Sequence, residues 1–394
     1  MSSKYLSNVP VERFMQIIPR RRGVIEKASS EFPRYEYNAN ILAKELHPKI
    51  QHVIISKIED LYGAKRYTLI PDEESGTEKL AYFNAGQYIS LHLRIGDSVL
   101  TRPYSLCSSP KEALDGKYQI TVKTMKNGFA SEYINTNFHV GTKVDISAPA
   151  GFFYYEPLRD HKNVLGIAGG SGIAPFLSLA KSIADGTNDF NLTLLYGSRT
   201  EKEILFKDEL DDLEKRGCLK VIHVLSDEEK DGYQHGFITS DLIRREMQDS
   251  SVFVCGSQGM YDYILKETEK LGLPRKQVRF DAYGEYKLTD RDRQYTQIHK
   301  DKTYQLTVTI KGKTVTVPAR SDETILVAFE RAGLDAPSGC RSGECGWCRS
   351  KLISGEIYAP EKVERRRQYD RLAGYIHPCC SFPCSDCQIS INCE

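Results

Sequence analysis

Cys340-Arg341-Ser342-Gly343-Glu344-Cys345-Gly346-Trp347-Cys348 sets three thiols in a C-x4-C-x2-C run. Clustered iron needs thiolates on a loop that can wrap it, and Gly343 and Gly346 let backbone amides approach the sulfurs. Zinc is the other chemistry open to such thiols, but zinc sites more often pair two C-x2-C knuckles. The run opens a skewed distribution: of eleven cysteines, Cys107, Cys218 and Cys255 stand alone and the other eight fall from Cys340 onward. A secreted disulfide scaffold is short and cysteine-dense throughout, so this block marks a metal-binding C-terminal domain.

Two alternating strands, Gln305–Ile310 and Lys313–Pro318, and a helical Thr324–Ala332 precede the cysteines, which bounds that domain at 304–394. The polar, charged stretch before it reads as a linker, 288–303. Further back, from Asn163, short apolar strands (Val164–Ala168, Leu192–Tyr196, Val221–Leu225, Val252–Cys255) alternate with helical stretches. That rhythm predicts a parallel α/β domain, 158–287. Residues 47–157 carry short β-rich runs such as Gln87–Leu93 and Tyr118–Val122, separated by Asp115-Gly116 and Asn127-Gly128 turns, and predict an antiparallel barrel. Residues 1–46 form a charged extension without period and of unknown role. The chain has 394 residues, enough for several cores. Its formal net charge is +1, which steers it toward neither nucleic acid nor anionic lipid. No apolar stretch suits a membrane span, and residues 1–18 lack the pattern of a signal peptide, so a cytoplasmic protein is expected. The oligomeric state is not legible.

Two further motifs carry chemistry. Arg102-Pro103-Tyr104-Ser105-Leu106 resembles the flavin-binding R-x-Y-S/T motif of the ferredoxin–NADP reductase superfamily, which implies a guanidinium for a pyrophosphate, a ring to pack on an isoalloxazine and a hydroxyl to reach flavin N5. Downstream, Val122-Lys123 and Gly128-Phe129-Ala130-Ser131 look like the second flavin segment of that superfamily, in which a glycine turn and a helix N-terminus would receive the diphosphate. Ala168-Gly169-Gly170-Ser171-Gly172-Ile173-Ala174-Pro175 follows the first parallel strand, where glycines let a nucleotide pyrophosphate come close.

Together these runs resemble the ferredoxin–NADP reductase superfamily, and in particular modular reductases like phthalate dioxygenase reductase and the phenylacetate-type monooxygenase reductases. The resemblance covers about 50–394. It implies a flavin-binding β-barrel, a nucleotide-binding α/β domain and an α+β, β-grasp ferredoxin domain of the plant type with a 2Fe–2S cluster. The fourth ligand is Cys379 rather than Cys380, because Pro383 and Asp386 fall four and seven residues after it, as in related domains. The spacing from Gly128 to Phe152 is closer to FAD-binding members than to FMN-binding ones.

Within the superfamily, Gly170, Gly172, Pro175, Gly197 and Arg199 would line the nicotinamide nucleotide. Cys255 and Gly256, in Val254-Cys255-Gly256-Ser257, would lie beside nicotinamide C4. Asp281 and Tyr283 fall where relatives carry Glu-x-Phe: Asp281 is expected to join Ser105 and Cys255, and Tyr283 to cover the flavin, although a structural role fits both equally well. Asp227, with Glu228 and Glu229, follows the third strand where NADPH-specific relatives place cations, so NADH is favoured over NADPH.

The implied activity is hydride transfer from NADH to FAD, then single electrons through the cluster to a separate redox acceptor docking near the ferredoxin domain. A self-contained flavin oxidoreductase with the cluster as relay is the alternative. Glu364-Arg365-Arg366-Arg367, expected on a helix, is either a solvated face or part of the docking surface. Cys380, Cys384, Cys387 and Cys393 are either free thiols or ligands of a second centre.

Overall fold

A computed structural model describes Met15 and residues 17–28, 37–281 and 284–391 of the chain. Its contacts divide it into Met1–Glu45 and Leu46–Glu394. The first unit holds α1 (Ile17–Lys27) and most of α2 (Asn38–Leu46), and α2 buries no side chain. A helix that buries nothing needs no apolar stripe, which is why no period announced it.

In the second unit, β1 (Gln51–Leu61), β2 (Ala64–Pro71), β3 (Tyr88–Ile95), β4 (Ser98–Ser105), β5 (Tyr118–Lys123) and β6 (Lys143–Ile146) form an antiparallel sheet in the order β4-β3-β6-β1-β2-β5. A bridge between Leu106 and Ile120 brings the two edges together, so the sheet curls into a barrel. Alternation sets its inside: Ile89, Leu91 and Leu93 are buried while His92 and Arg94 face out. Two short helices complete it. α3 (Pro110–Leu114) is capped by Ser109, and α4 (Phe129–Asn137) starts from Gly128.

β7 (Asn163–Gly169), β8 (Asn191–Ser198), β9 (Lys220–Leu225), β10 (Gln234–His235), β11 (Ser250–Cys255) and β12 (Val278–Asp281) make the second sheet, all parallel, ordered β10-β9-β8-β7-β11-β12. Helices α5 (Ala174–Ala184), α6 (Lys207–Lys215), α7 (Ser240–Met247) and α8 (Gln258–Lys270) connect its strands. The chain runs outward from β7 through β10, then returns to place β11 on the other side of β7. The crevice at the carboxyl ends of β7 and β11 is therefore the switch point where such sheets take ligands.

The third sheet is mixed and runs in the order β14 (Lys313–Arg320), β13 (Thr303–Ile310), β19 (Cys387–Ile391), β15 (Ser350–Ser354), β17 (Tyr375–Ile376), with β13 parallel to β19 and antiparallel to β14. Helix α10 (Ile325–Arg331), capped by Thr324, lies across it and buries Ile325, Ala328 and Phe329 in the core under Leu306, Val308 and Ile389. β15 and β17 finish the sheet, and β16 (Ile357–Tyr358) pairs with β18 (Phe382–Pro383).

Two expectations meet a different local structure. The 288–303 segment, read as a linker, carries α9 (Arg293–Ile298). There Tyr295 is 6% exposed, stacks on Tyr358 with ring centroids 4.5 Å apart, and donates to the carbonyls of Ser321 and Pro383. Residues 364–367 are extended, not helical: α11 begins only at Gln368 and runs to Leu372. Arg366 is bound back to Glu364, two residues earlier, and donates to Tyr375 O at 2.9 Å, a geometry a helix does not allow. No helix among the described residues is long and apolar enough to cross a membrane.

Candidate active site

Strand β4 ends on Tyr104 and Ser105, β11 ends on Cys255, and β12 ends on Asp281. The three ends meet. Ser105 Oγ donates to Asp281 Oδ2 at 3.4 Å, and Cys255 Sγ lies 3.8 Å from the same oxygen. A hydroxyl from the barrel, and a thiol and a carboxyl from the parallel sheet, thus share one point above the switch crevice. Burial pushes the Asp281 carboxyl up from the ordinary 3.8 to about 7, and the nearby charge of Glu344, from the cysteine-rich loop, adds to this. Such a carboxyl holds a proton close to neutrality.

Linkage gives this shift a sign. The unfolded carboxyl ionises near its ordinary value while the folded one stays protonated, so stability falls as pH rises through that window and the loss is complete above about 7. The stability advantage of Asp281→Asn over the parent should therefore grow between about pH 4 and 7 by a few degrees of melting temperature, then level off. Thermal melts across pH check this, and parallel curves would mean that Asp281 ionises normally.

The loop after β7 forms a short 3-10 turn, Gly170–Ile173, leading into α5 with Pro175 in its first turn. A Cβ on Gly172 would stand 2.3 Å from Cys255 O, so only glycine lets this loop approach β11. Gly170 has φ +53°, and the Lys123 ammonium comes within 3.6 Å of where its Cβ would be, which brings the barrel's second segment over the nucleotide loop. Gly256 follows Cys255 directly, and Gly197 pairs in register with Gly169. Beyond it, Arg199 O accepts from the Asp227 amide at 2.9 Å, so these two residues stand together at the ends of β8 and β9.

Other expected residues are placed differently. Leu106 and Val122 are wholly buried in the barrel, so only their backbone can face a ligand. Ser131 Oγ accepts from Met125 N and donates to Gly128 O, and is spent on its own turn. Burial pushes the Tyr104 hydroxyl up to about 12. Arg102 NH1 lies 3.2 Å from Glu330 of α10, which also pairs with Arg341. Tyr283 lies outside the described residues.

The four ligand candidates stand as two pairs. Cys345 Sγ accepts from Cys340 N at 3.4 Å and Cys340 Sγ accepts from Cys345 N at 3.3 Å, while Cys348 Sγ and Cys379 Sγ are 3.4 Å apart. The Ser342 amide also points at Cys340 Sγ, at 3.4 Å. The thiol of Cys345 and these amides hold Cys340 below the ordinary thiol range. Two pairs, two thiolates for each metal, with amides aimed at sulfur, fit a 2Fe–2S centre; no larger group of His, Cys, Asp and Glu converges on one point among the described residues. Cys380 Sγ turns instead to His377 O and Val363 O, at 3.5 and 3.6 Å. Cys384 borders the Tyr286–Tyr295 cluster and Cys387 belongs to the sheet core. Cys393 lies outside the described residues.

Sequence reading missed Tyr88, Glu330 and Arg341. Tyr88 is 8% exposed and its hydroxyl is raised by burial and by the neighbouring Cys345 and Cys340, which places it between the barrel and the cysteine loop. Nothing but strand alternation marked it.

Family models match an oxidoreductase FAD-binding domain over residues 65–155, an oxidoreductase NAD-binding domain over 167–266 and a 2Fe-2S iron-sulfur cluster binding domain over 308–384. The chain is 31% identical over 326 residues to the 3-ketosteroid-9-alpha-monooxygenase, ferredoxin reductase component, of Mycobacterium tuberculosis (strain H37Rv), covering 80% of this chain and 86% of that protein. It is 29% identical over 317 residues to one component of the 1,2-phenylacetyl-CoA epoxidase of Escherichia coli (strain K12), covering 76% and 86%. Among solved structures, phthalate dioxygenase reductase shares the fold, with a TM-score of 0.64, 23% identity, and coverage of 87% of this chain and 98% of that one.

Proposed function

The chain belongs to the modular oxidoreductases that join FAD-binding, NAD-binding and 2Fe–2S domains, and from that premise we propose that it oxidises NADH and passes single electrons to a separate oxygenase component. In this reading 47–157 hold FAD, 158–287 hold NADH and 304–394 hold the cluster. Bound flavin accepts a hydride whole and releases electrons singly, which a one-electron cluster requires. The chain's own groups set the stage. Arg102, which Glu330 and the Thr101 carbonyl engage through NH1 alone, and Lys123 supply positive charge for the FAD diphosphate, Tyr104 supplies a ring face, and Ser105 a hydroxyl for the flavin edge. Gly170 and Gly172 open the nucleotide loop, Cys255 lines the nicotinamide side, and Asp281 holds a proton between them.

The observation that carries the reading is the meeting of Ser105, Cys255 and Asp281, within 3.8 Å, on the flank of a two-pair cysteine loop. The test is composition and order of reduction. Purified protein should carry one FAD and two irons per chain, and anaerobic NADH should bleach the flavin before the cluster. Reduction of small quinones as fast as of any protein partner would favour a self-contained reductase instead.

The NADH preference rests on charge. Arg199 is bound bidentately by Glu203, at 3.1 and 3.0 Å, and Lys230 by Glu201, so these cations near Asp227 are already neutralised. Among the described residues, a 2′-phosphate finds no uncommitted guanidinium there. We expect kcat/KM at low salt to favour NADH by about tenfold or more, and Glu203→Gln to raise the NADPH value several-fold by freeing Arg199. A parent enzyme faster with NADPH overturns this.

A further inference from the structure

The cysteine loop is two-sided. Its first pair faces the flavin barrel: Ser338 touches Thr101, and Glu330 pairs with Arg102. Its second pair, Cys348 and Cys379, connects to another surface. Arg349, directly after Cys348, donates to Asp370 on α11 at 2.7 Å, and its guanidinium lies 3.3 Å from the centre of the Tyr375 ring on the edge strand β17. On α11 itself Tyr369 is 71% and Leu372 80% exposed, a large cost in apolar surface for a five-residue helix with no evident structural use.

The charges around this apolar pair are unbalanced. Lys362 pairs with Asp262, Arg366 with Glu364 and Arg349 with Asp370. Among the described residues, Arg365, Arg367 and Arg371 form no ion pair, and Glu361 is the single unpaired carboxylate of the 361–372 segment. An apolar centre rimmed by the exposed Arg367 and Arg371 and the half-buried Arg365, none of them held in an ion pair and only Arg371 near enough to Glu364 to act on it, fits a surface of opposite sign better than water or a second copy of itself, because two such rims repel.

We propose that α11, with Tyr369 and Leu372 at its centre and Arg365, Arg367 and Arg371 as its rim, is the docking surface for an acidic redox protein. This rests on the reading that the terminal acceptor is a protein, and adds which face it meets and what charge it carries. The barrel side of the loop is the entry and the α11 side the exit.

The experiment uses the full-length holoprotein with two protein acceptors of opposite surface charge, acidic cytochrome b5 and basic cytochrome c, and one neutral quinone. The parent should reduce cytochrome b5 faster than cytochrome c at low salt, with the advantage falling as salt rises. Reversing all three charges (Arg365→Glu, Arg367→Glu, Arg371→Glu) should lower the cytochrome b5 rate about tenfold and invert the preference. Tyr369→Ala with Leu372→Ala should weaken binding of cytochrome b5 to the oxidised protein severalfold at any salt. Quinone reduction and the visible spectrum should stay as in the parent for both variants. A charge-reversed variant that keeps the parent's cytochrome b5 rate, affinity and salt dependence overturns the docking face. A parent that reduces quinone but neither cytochrome overturns the protein-acceptor reading itself, and the docking face with it.

Discussion

Cys379→Ser is expected to take the iron content from two atoms per chain to almost none, whereas Cys380→Ser should keep both. The two residues are adjacent, and only their directions separate them. Cys379 Sγ faces Cys348 Sγ at 3.4 Å, while Cys380 Sγ is turned to the carbonyls of His377 and Val363, in a gap so narrow that a Cβ on Gly343 would come within 2.9 Å of it. Both sit in the 3-10 turn Pro378–Cys380, where successive side chains point about 120° apart, so one cannot substitute for the other without rebuilding 377–380. A hydroxyl in place of the Cys379 thiolate is a poor iron ligand and leaves one pair incomplete. NADH-dependent dye reduction, which needs only the barrel and the parallel sheet, should survive in Cys379→Ser, while transfer to a protein acceptor is lost. Iron analysis with visible spectra decides the matter: full iron in Cys379→Ser and loss in Cys380→Ser would reverse the assignment.

That contrast also shows what a sequence can carry. The thiol spacing from Cys340 to Cys348, the Arg102–Leu106 run and the glycine loop after β7 are local patterns, and each maps onto one continuous backbone feature. Strand–helix alternation from Asn163 is local in the same sense. Groups that meet across the chain leave no such trace. Glu330 looks like a solvent-side charge on an amphipathic helix, yet its partner Arg102 lies 228 residues away. Asp292, in a stretch that reads as a polar linker, is 3% exposed because the hydroxyls of Tyr286 and Tyr358 donate to it at 3.0 and 2.6 Å. Charge in a sequence reads as solvation, and only the fold reveals which charges are paired inside.

The largest stability effect should come from that hidden pairing at Glu330. Arg341, directly after the ligand candidate Cys340, is 1% exposed, and Glu330 is 5% exposed. Glu330 accepts from Arg341 and, at 3.2 Å, from Arg102 on the barrel, while Glu285 stands 3.4 Å from the other side of Arg341. Two guanidiniums and two carboxylates thus balance around the buried Arg341–Glu330 pair. Glu330→Leu leaves both guanidiniums facing one carboxylate, and breaking a buried pair in this way costs about 3–5 kcal/mol. For a domain the size of the C-terminal one, that is a fall of more than about 10 °C in its melting temperature. Arg102 loses the group that orients it, so flavin should dissociate more readily from the variant, and fluorescence of released flavin follows this independently of turnover. Removing the charges together, in Glu330→Leu with Arg341→Met, should recover most of the stability, because no buried guanidinium is then left facing the leucine from the cysteine loop. It should not recover flavin retention, since Arg102 still lacks its partner. If the double variant is no more stable than Glu330→Leu alone, the loss comes from packing on α10 and not from the charge network.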